Sequence, residues 1–234
     1  MNFILESMIK ALQLIASLDR ELVGIILLSL RLSGLALLIA ALIGLPIGAA
    51  VGLYRVRGHS LIITAMNTGM GLPPVTVGLL VYILLSRSGP LGPLGLLYTP
   101  TAMVIAQSIL AAPIVASLVD SAVINVDPAI RQAAITLGAT PLQASVTVVR
   151  EARYGIISSL LAGFGRLMAE VGAVIIVGGN IAGYTRVMTT TIALETDKGN
   201  FELAVALGIV LLIVSFSVNA ATHYFQRTGL LPAR

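Results

Sequence analysis

The stretch RQAAITLGATPLQAS, residues 131–145, lies between two long apolar segments, but it is too polar to cross a bilayer and too regular to be a slack loop. Just before it, Asp127 is a favoured N-cap residue and Pro128 suits the first position of a helix. This pattern predicts a short helix that runs to Leu137. Gly138 then supplies the left-handed backbone conformation that commonly ends a helix.

A second helix start follows directly after this glycine. Thr140 and Pro141 repeat the order of cap and proline, and the helix that they open is expected to run toward Arg150. The sequence therefore predicts a helix, a glycine turn and a second helix that project from the membrane. Small residues leave room there for a closely packed partner: Ala133, Ala134, Gly138 and Ala139. The alternative is a connector that folds back onto its own bundle.

The composition of the chain is that of a membrane protein. Of 234 residues, 57% are hydrophobic and only 10% are charged, whereas soluble domains carry about 25% charged residues. The absence of cysteine excludes disulfides and thiolate metal sites, and His59 and His223 alone leave little for a metal cluster. The net charge of +4 is attributed to loop residues that set membrane orientation and not to nucleic-acid binding. No cofactor is expected.

The apolar segments predict an all-α integral membrane protein, because a membrane-spanning helix needs about 20 mostly apolar residues. Five segments qualify as transmembrane helices: Val23–Leu53, Leu61–Ser86, Thr99–Ile124, Gly155–Gly179 and Leu203–Ala221. The first could be broken at Pro46, which has Gly44 and Gly48 on either side. Residues 1–20 are predicted to hold an amphipathic helix on the membrane surface, because apolar residues recur there at helical spacing: Phe3, Ile4, Met8, Leu12, Ile15 and Ala16.

The distribution of Lys and Arg between the loops predicts the orientation of the chain. An odd number of spans puts the two termini on opposite sides of the membrane. If the C-terminus is cytoplasmic, the cytoplasmic basic residues are Arg55, Arg57, Arg131, Arg150, Arg153, Arg227 and Arg234. The outer side then holds Lys10, Arg20, Arg87, Arg186 and Lys198. We therefore predict an N-terminus outside and a C-terminus inside, with residues 126–154 as the longest cytoplasmic segment.

Two adjacent prolines interrupt the second predicted span. Pro73 and Pro74 remove two backbone donors and clash with the preceding turn, and in lipid the freed carbonyls need partners from protein or from a water-filled cavity. The polar residues Asn67, Thr68 and Thr76 flank this break. The functional interpretation is a helix unwound beside a translocation path, and the alternative is a kink that only helps packing.

The fourth predicted span contains a pair of opposite charges. Arg166 and Glu170 are four residues apart, so they share one face of the helix. An unpaired charge at mid-membrane costs about 2.5–3.5 kcal/mol on insertion scales. We therefore expect each to neutralise the other inside the bundle. The alternative is that Arg166 contacts an anionic substrate.

The stretch that opened this section resembles the cytoplasmic loop of permease subunits of ABC importers. That motif reads Glu-Ala-Ala, three residues, Gly, nine residues, then Ile-x-Leu-Pro. Here it appears as Gln132, Ala133, Ala134, Gly138 and Val148, with Arg150 in place of the Leu and Glu151 in place of the Pro. The stretches NTGMGLPPVTVGLLVYILLSRSGPLG and FGRLMAEVGAVIIVGGNIAGYTRVMTTTIALET resemble the oxyanion branch of these permeases, with tungstate permeases nearest and molybdate and sulfate permeases as relatives.

The resemblance implies a function for the loop and a set of partners. The chain would be one permease domain, residues 1–234, with the fold of a type I ABC importer, in the membrane of a prokaryote. It would work as a homodimer and receive a tetrahedral oxyanion, tungstate in the first place, from an extracytoplasmic binding protein. Separate ATPase subunits would hold the loop through the coupling residues Arg131, Gln132, Ala133, Ala134, Gly138, Ala139 and Thr140. The chain has no G-x-x-x-x-G-K-[ST] stretch, so it is not expected to be an ATPase itself.

The outer stretch from Asn180 to Asn200 is the second place where the resemblance decides the interpretation. Hydroxyls such as those of Thr185 and Thr189, with the charge of Arg186, suit brief handling of an oxyanion by hydrogen bonds. The resemblance favours a gate or docking role for these residues and Asn180, over an ordinary polar loop.

Other functions stay open on the sequence alone. The cargo could be molybdate, sulfate or another anion, because tungstate and molybdate have nearly the same size and charge. An ion-coupled secondary carrier would use Glu170 and Asp120 as proton sites. An intramembrane enzyme is disfavoured because no pair of nucleophile and base stands out.

Overall fold

The chain is helical throughout residues 2–54 and 58–230, which the computed structural model describes, with side chains described from Ser7 to Arg227. Eleven α-helices and one short 3-10 turn, Gly92–Leu94, make up this part of the chain, which contains no strand. The helices are α1 Asn2–Ala16, α2 Arg20–Leu53, α3 His59–Met70, α4 Pro74–Leu85, α5 Pro100–Ile124, α6 Pro128–Thr136, α7 Pro141–Glu151, α8 Arg153–Met168, α9 Gly172–Gly178, α10 Met188–Asp197 and α11 Phe201–Leu230. The predicted all-α fold is confirmed.

The number of possible spans agrees with the prediction, but two of them are not single helices. Among the described residues, α2, α5 and α11 are each long and apolar enough to cross a membrane. The predicted second span is the pair α3 and α4, which bends by 92°, and the predicted fourth span is the pair α8 and α9, which bends by 58°. Counting each bent pair as one span gives five. The break in the second span lies at the prolines that predicted it, Pro73 and Pro74, whereas the fourth span was predicted as one continuous segment, so its bend is a correction.

The break proposed for the first span does not occur, because α2 continues through Pro46. The helix is continuous across the proline and packs closely on α5 there. A Cβ atom on Gly44 would lie 2.9 Å from Val115 Cβ, and one on Gly48 would lie 2.3 Å from the carbonyl oxygen of Ala116. Glycine at every fourth position, continued by Gly52, therefore lets the two backbones approach closely.

The same contacts fix the directions of the spans. Successive glycines of α2 meet successive residues of α5 in the same order, from Gly44 at Val115 to Gly52 at Val123, so the two helices run parallel. The end of the bundle where α2 and α5 begin is called the distal end here, and the end where they finish, next to residues 128–151, is called the hairpin end. At the latter, Ser158 of α8 donates a hydrogen bond to the carbonyl of Thr222 of α11. The last described helix therefore finishes at the end opposite to the start of α2.

Glycines also bring the two bent spans together. A Cβ on Gly78 of α4 would lie 2.8 Å from the Cα of Ala173 of α9, and a Cβ on Gly172 would lie 2.8 Å from Val75 Cγ2. The distal halves of the bent spans thus pack on each other. On the other side of the first break, a Cβ on Gly69 would lie 2.7 Å from Pro113 Cβ of α5.

The helix, glycine turn and helix predicted for residues 128–151 are present. Asp127 accepts a hydrogen bond from the N–H of Ala129 at 2.8 Å and caps α6. Gly138 has φ +92°, the left-handed conformation that the sequence predicts. Thr140 and Gln143 cap α7 reciprocally, with each side chain bonded to the other's backbone N–H. We call α6, the turn at Gly138 and α7 the hairpin.

The N-terminal helix is also present, as α1, and it ends at Ala16, short of the predicted residue 20. It packs beside α11, with Ala11 fully buried and Lys10 paired with Glu202. Asp19 already caps α2, since it accepts hydrogen bonds from the first N–H groups of that helix. The side chains of Phe3 and Ile4 lie outside the described residues, as do Arg55, Arg57 and Arg234, which enter the prediction of orientation.

The contact between α2 and α5 can be tested by adding one methyl group. We expect Gly48→Ala to lower stability by about 1–3 kcal/mol, because the new Cβ would overlap the Ala116 carbonyl and force the helices apart. The measurement is thermal unfolding of the purified full-length chain in detergent.

Gly34→Ala is the matched control, since it lies on the same helix with nothing within 4 Å of its added Cβ. This control should be neutral or gain about 0.5–1 kcal/mol from helix propensity. Equal unfolding temperatures for the two variants would show that the close contact does not hold the pair.

Candidate translocation path and coupling surface

The hairpin presents one helix to solvent and anchors the other. No residue of α6 is buried, and Leu137 at its end is 88% exposed. In α7, by contrast, Ala144, Ser145 and Val148 are buried against the bundle. The two alternatives drawn from the sequence therefore each hold for one half: α7 folds back, and α6 projects.

A polar contact fixes the anchored half. The hydroxyls of Tyr54, directly after α2, and Ser145 of α7 lie 2.9 Å apart. The predicted coupling residues lie on the projecting half and its turn, where all are exposed except the partly buried pair Ala134 and Ala139: Arg131, Gln132, Ala133, Ala134, Gly138, Ala139 and Thr140. A partner that binds α6 would therefore move α7 and, through the Tyr54–Ser145 contact, the end of α2.

The first break in the bundle lies at residues 71–73 and is lined by exposed polar side chains. Asn67, Thr68 and Thr76 are all exposed in the single chain. Asn67 Oδ1 accepts a hydrogen bond from Ser117 Oγ at 2.9 Å, which ties α3 to α5. The N–H of Gly71 donates to the carbonyls of Asn67 and Thr68, so that part of the broken ladder is closed locally. Pro73 then caps α4 with extended backbone, and Pro74 is its first residue.

The second break, at residues 169–171, is built around Glu170. Its carboxylate is 5% exposed and lies 3.1 Å from Arg166 Nη1, while the arginine is 48% exposed. The other carboxylate oxygen accepts the N–H of Ala173 at 3.2 Å and so caps α9. Thr189 Oγ1 donates to the backbone carbonyl of Glu170 at 2.9 Å. One side chain thus neutralises a charge and satisfies a freed backbone group.

The structure brings the two breaks together. Val75, beside the prolines of the first break, contacts Gly172, which follows Glu170 in the second. Sequence reasoning assigned these residues to separate spans and had no means of pairing them. The site residues at the two breaks are therefore neighbours across the packing of α4 on α9.

Sequence reasoning missed a set of buried polar residues at the second break. Ser29 Oγ accepts the N–H of Met188 at 2.9 Å, and Gln107 Nε2 donates to the Leu167 carbonyl at 3.3 Å. Together with Ser33, they line a cavity of about 10 Å³ that also touches Glu170. The sequence signal that could have found them is that Ser29, Ser33 and Gln107 are each polar and lie inside an apolar span.

The predicted gate residues after α9 turn most of their polar groups toward the backbone. Thr185 is 1% exposed, donates to the Gly178 carbonyl at 2.6 Å and accepts from the N–H of Ile181. Asn180, with φ +50°, donates from Nδ2 to the Thr190 carbonyl at 3.3 Å. Arg186 is the member of this set that reaches a surface cavity, described below. In this conformation, the loop is shaped by its own hydroxyls.

The carboxylate of Glu195 stabilises the end of α10 by hydrogen bonds with the residues that follow it. Glu195 accepts hydrogen bonds from Lys198 Nζ at 2.9 Å and from Asn200 Nδ2 at 2.8 Å. These two donors hold the pKa of Glu195 below its usual value, against the opposing effect of burial. The turn between α10 and α11 is therefore closed by an ionised side chain at neutral pH.

Comparison with known proteins identifies the family. The family model described as "Binding-protein-dependent transport system inner membrane component" matches residues 44–228. The chain belongs to this family. Within the family, it is 42% identical over 226 residues to the tungstate uptake system permease protein of Peptoclostridium acidaminophilum, covering 97% of this chain and 99% of the relative. It is also 48% identical over 210 residues to a probable anion ABC transporter permease protein of Haloferax volcanii, covering 88% and 90% of the two chains.

Solved structures of ABC transporters share the fold. A chain of the methionine ABC transporter in inward-facing conformations superposes with a TM-score of 0.73 at 17% identity, covering 92% of this chain and 99% of that chain. A chain from a bacterial alginate ABC transporter in complex with its substrate-bound periplasmic protein gives a TM-score of 0.71 at 21% identity, covering 92% and 82%. The resemblance to ABC importer permeases of the oxyanion branch, drawn above from short motifs, is confirmed over nearly the whole chain, and the protein is a multi-pass membrane protein.

The pair at the second break should respond unequally to the loss of its two members. Arg166→Gln leaves the buried Glu170 carboxylate without its cation, which in a fully buried pair costs about 3–5 kcal/mol. Glu170→Gln leaves an arginine that is half exposed and free to reorient, and the amide oxygen still accepts from Ala173. We therefore expect Arg166→Gln to destabilise more, and the double variant to recover part of the loss. Equal and additive losses in thermal unfolding would contradict the pairing.

Proposed function

We propose that this chain is the membrane-spanning permease subunit of an ATP-driven importer for a tetrahedral oxyanion, tungstate first among the candidates. The observation that carries the proposal is the hairpin, with one helix exposed and the other fastened to the bundle. In this arrangement α6 is a binding surface for an ATPase, and the Tyr54–Ser145 contact transmits the movement of the hairpin to α2. The chain itself contributes no catalytic residue and needs no cofactor.

The choice of cargo is supported by relatives of the chain. Two relatives that match nearly all of it are tungstate uptake permeases, at 42% and 36% identity. Sulfate and molybdenum transport permeases match at lower identity, for example 31% and 24%. Because tungstate and molybdate have nearly the same size and charge, we assign the discrimination between them to an extracytoplasmic binding protein that delivers the anion.

The exposed polar surface at the first break supports a homodimer. Asn67, Thr68 and Thr76 flank an interrupted helix, and lipid does not tolerate interrupted backbone next to exposed polar groups. A second copy of the chain that faces this surface across a water-filled path would remove the conflict. One chain whose described residues form at most five spans is too small to enclose such a path alone. The same residues would then contact the passing anion.

In the proposed orientation, the hairpin end is cytoplasmic and the distal end is outside. The loop arginines that support it include Arg131, Arg150 and Arg153 at the hairpin end. Closure of two ATPase subunits on ATP would draw the two hairpins together and open the path toward the distal end. The charge pair of Arg166 and Glu170 would keep the second break in shape during this movement.

The coupling role of the hairpin predicts that ATPase binding depends on the left-handed backbone conformation at residue 138 more than on the glycine itself. Gly138→Val forces a β-branched residue into φ +92° and should abolish co-purification of the ATPase. Gly138→Asn, which tolerates the left-handed conformation, should retain it. The measurement is the yield of ATPase bound to the tagged permease after co-expression with candidate ATPases.

Gly95→Val controls for backbone strain as such. Gly95 also has positive φ, at +62°, and open space around it, but it lies in the loop before α5 at the distal end. We expect this variant to bind the ATPase as the unaltered chain does. Undiminished binding by Gly138→Val would overturn the coupling role.

Uptake measurements test the energy source and the cargo. In proteoliposomes that contain the permease, its ATPase and the binding protein, labelled tungstate should accumulate only with ATP. Molybdate should compete according to its affinity for the binding protein. Accumulation that persists without ATPase and follows an ion gradient would instead favour a secondary carrier, with Glu170 and Asp120 as proton sites.

A further inference from the structure

A basic cavity of about 350 Å³ opens at the distal end, between the first turns of α2 and the loop before α10. Its charged lining consists of Arg20, Glu21, Arg31 and Arg186, and Gly24 and Gly183 leave the space between them open. The cavity is separate from the two breaks and from the hairpin. Its volume is sufficient for a single tetrahedral oxyanion with a few waters.

The charges of this cavity are not balanced. Three arginines face one carboxylate, and the nearest contact between them, Arg186 Nη1 to Glu21 Oε1, is 3.9 Å, longer than a hydrogen bond. Arg186 is only 16% exposed, and its buried Nε has no hydrogen-bond partner within the described part of the chain. Within the described part of the chain, neither Arg20 nor Arg31 forms an ion pair. About two positive charges thus remain without a protein partner.

A mostly buried guanidinium with an unused N–H is costly unless a ligand supplies an acceptor. The contrast with Arg166 is direct, since that arginine has Glu170 at 3.1 Å. Guanidinium groups bind the oxygens of tetrahedral anions through paired N–H donors, which a carboxylate at 3.9 Å does not engage. The missing partner of Arg186 therefore has the chemistry of an anion.

The position of Arg31 fits the boundary of a membrane. From Leu32 to Tyr54 the chain carries no charged residue, and at a rise of about 1.5 Å per residue this stretch spans about 34 Å, close to the thickness of the hydrocarbon core. Arg31 then lies at the level of the lipid headgroups, and Arg20 lies farther out, in water. A ligand could reach this cavity from the aqueous side or from the headgroup layer.

We propose that this cavity is a binding site for a tetrahedral oxyanion held by Arg20, Arg31 and Arg186. Glu21 is its internal competitor, since it shares Arg186 until the anion arrives. The anion is either the dissolved cargo, in which case the site receives it at the entrance and rests on the function proposed above, or the phosphate of a lipid headgroup. Both sources present the same oxygens to the same arginines.

Binding to the purified full-length chain tests the site without ATP or ATPase. The chain is placed in nanodiscs of phosphatidylcholine alone, and tungstate and inorganic phosphate are titrated by calorimetry. Arg31→Gln and Arg186→Gln should each weaken tungstate binding at least tenfold. Glu21→Gln should strengthen it, which a merely structural carboxylate would not do. Arg87→Gln, an exposed arginine of the loop after α4 that does not line the cavity, should leave it unchanged.

A second arm detects the lipid source. Native mass spectrometry of the chain released from phosphatidylglycerol nanodiscs should show retained lipid that the two arginine variants lose and Arg87→Gln keeps. Tungstate binding or lipid retention with this pattern supports the site and names its source. If neither depends on Arg31 and Arg186 while thermal unfolding shows the variants folded, the proposal is overturned. That outcome would leave the ATPase association of the hairpin, and with it the proposed function, untouched.

Discussion

The close approach of backbones at glycine is the contact on which this structure depends. Helices in a bilayer gain little from burying apolar side chains, because lipid is equally apolar, so they associate through tight packing and hydrogen bonds. Gly44, Gly48 and Gly52 allow α2 to lie directly on α5, and Gly78 and Gly172 do the same for α4 and α9. The first contact carries α2 unbroken through Pro46, and the second holds two bent spans side by side.

Those bends are where the chain departs from simple spanning helices, and each is satisfied by protein groups. At the first, the N–H of Gly71 closes onto α3 and Asn67 bonds to Ser117. At the second, Glu170 pairs with Arg166 and caps α9, and Thr189 bonds to its carbonyl. The first break exposes polar side chains, whereas the second buries them. This difference favours the first break as a wall of the proposed path and the second as its support.

Function and fold meet at the two ends of the bundle. At one end, α7 is packed and α6 projects, which suits a segment that receives force. At the other, a basic cavity opens beside the first turns of α2, which suits the proposed binding of an anion. The long helix α2 joins them, since it begins among the arginines and ends beside Ser145. The glycine packing on α5 lies along its second half.

The sequence by itself determined what depends on local chemistry and on composition. Both helices of the hairpin were predicted from Asp127, Gly138 and Thr140, because caps and left-handed glycines act within a few residues. Five apolar stretches predicted the spans. The spacing of four residues between Arg166 and Glu170 predicted that these two charges form a pair. Only the tertiary structure decided that Pro46 leaves α2 intact, that the fourth span is bent, and that Val75 meets Gly172. It also turned Thr185 inward and gathered Arg20, Arg31 and Arg186 around one cavity. The physical reason is that these outcomes depend on which helix lies against which, and residues many tens of positions apart carry no local signal of their meeting.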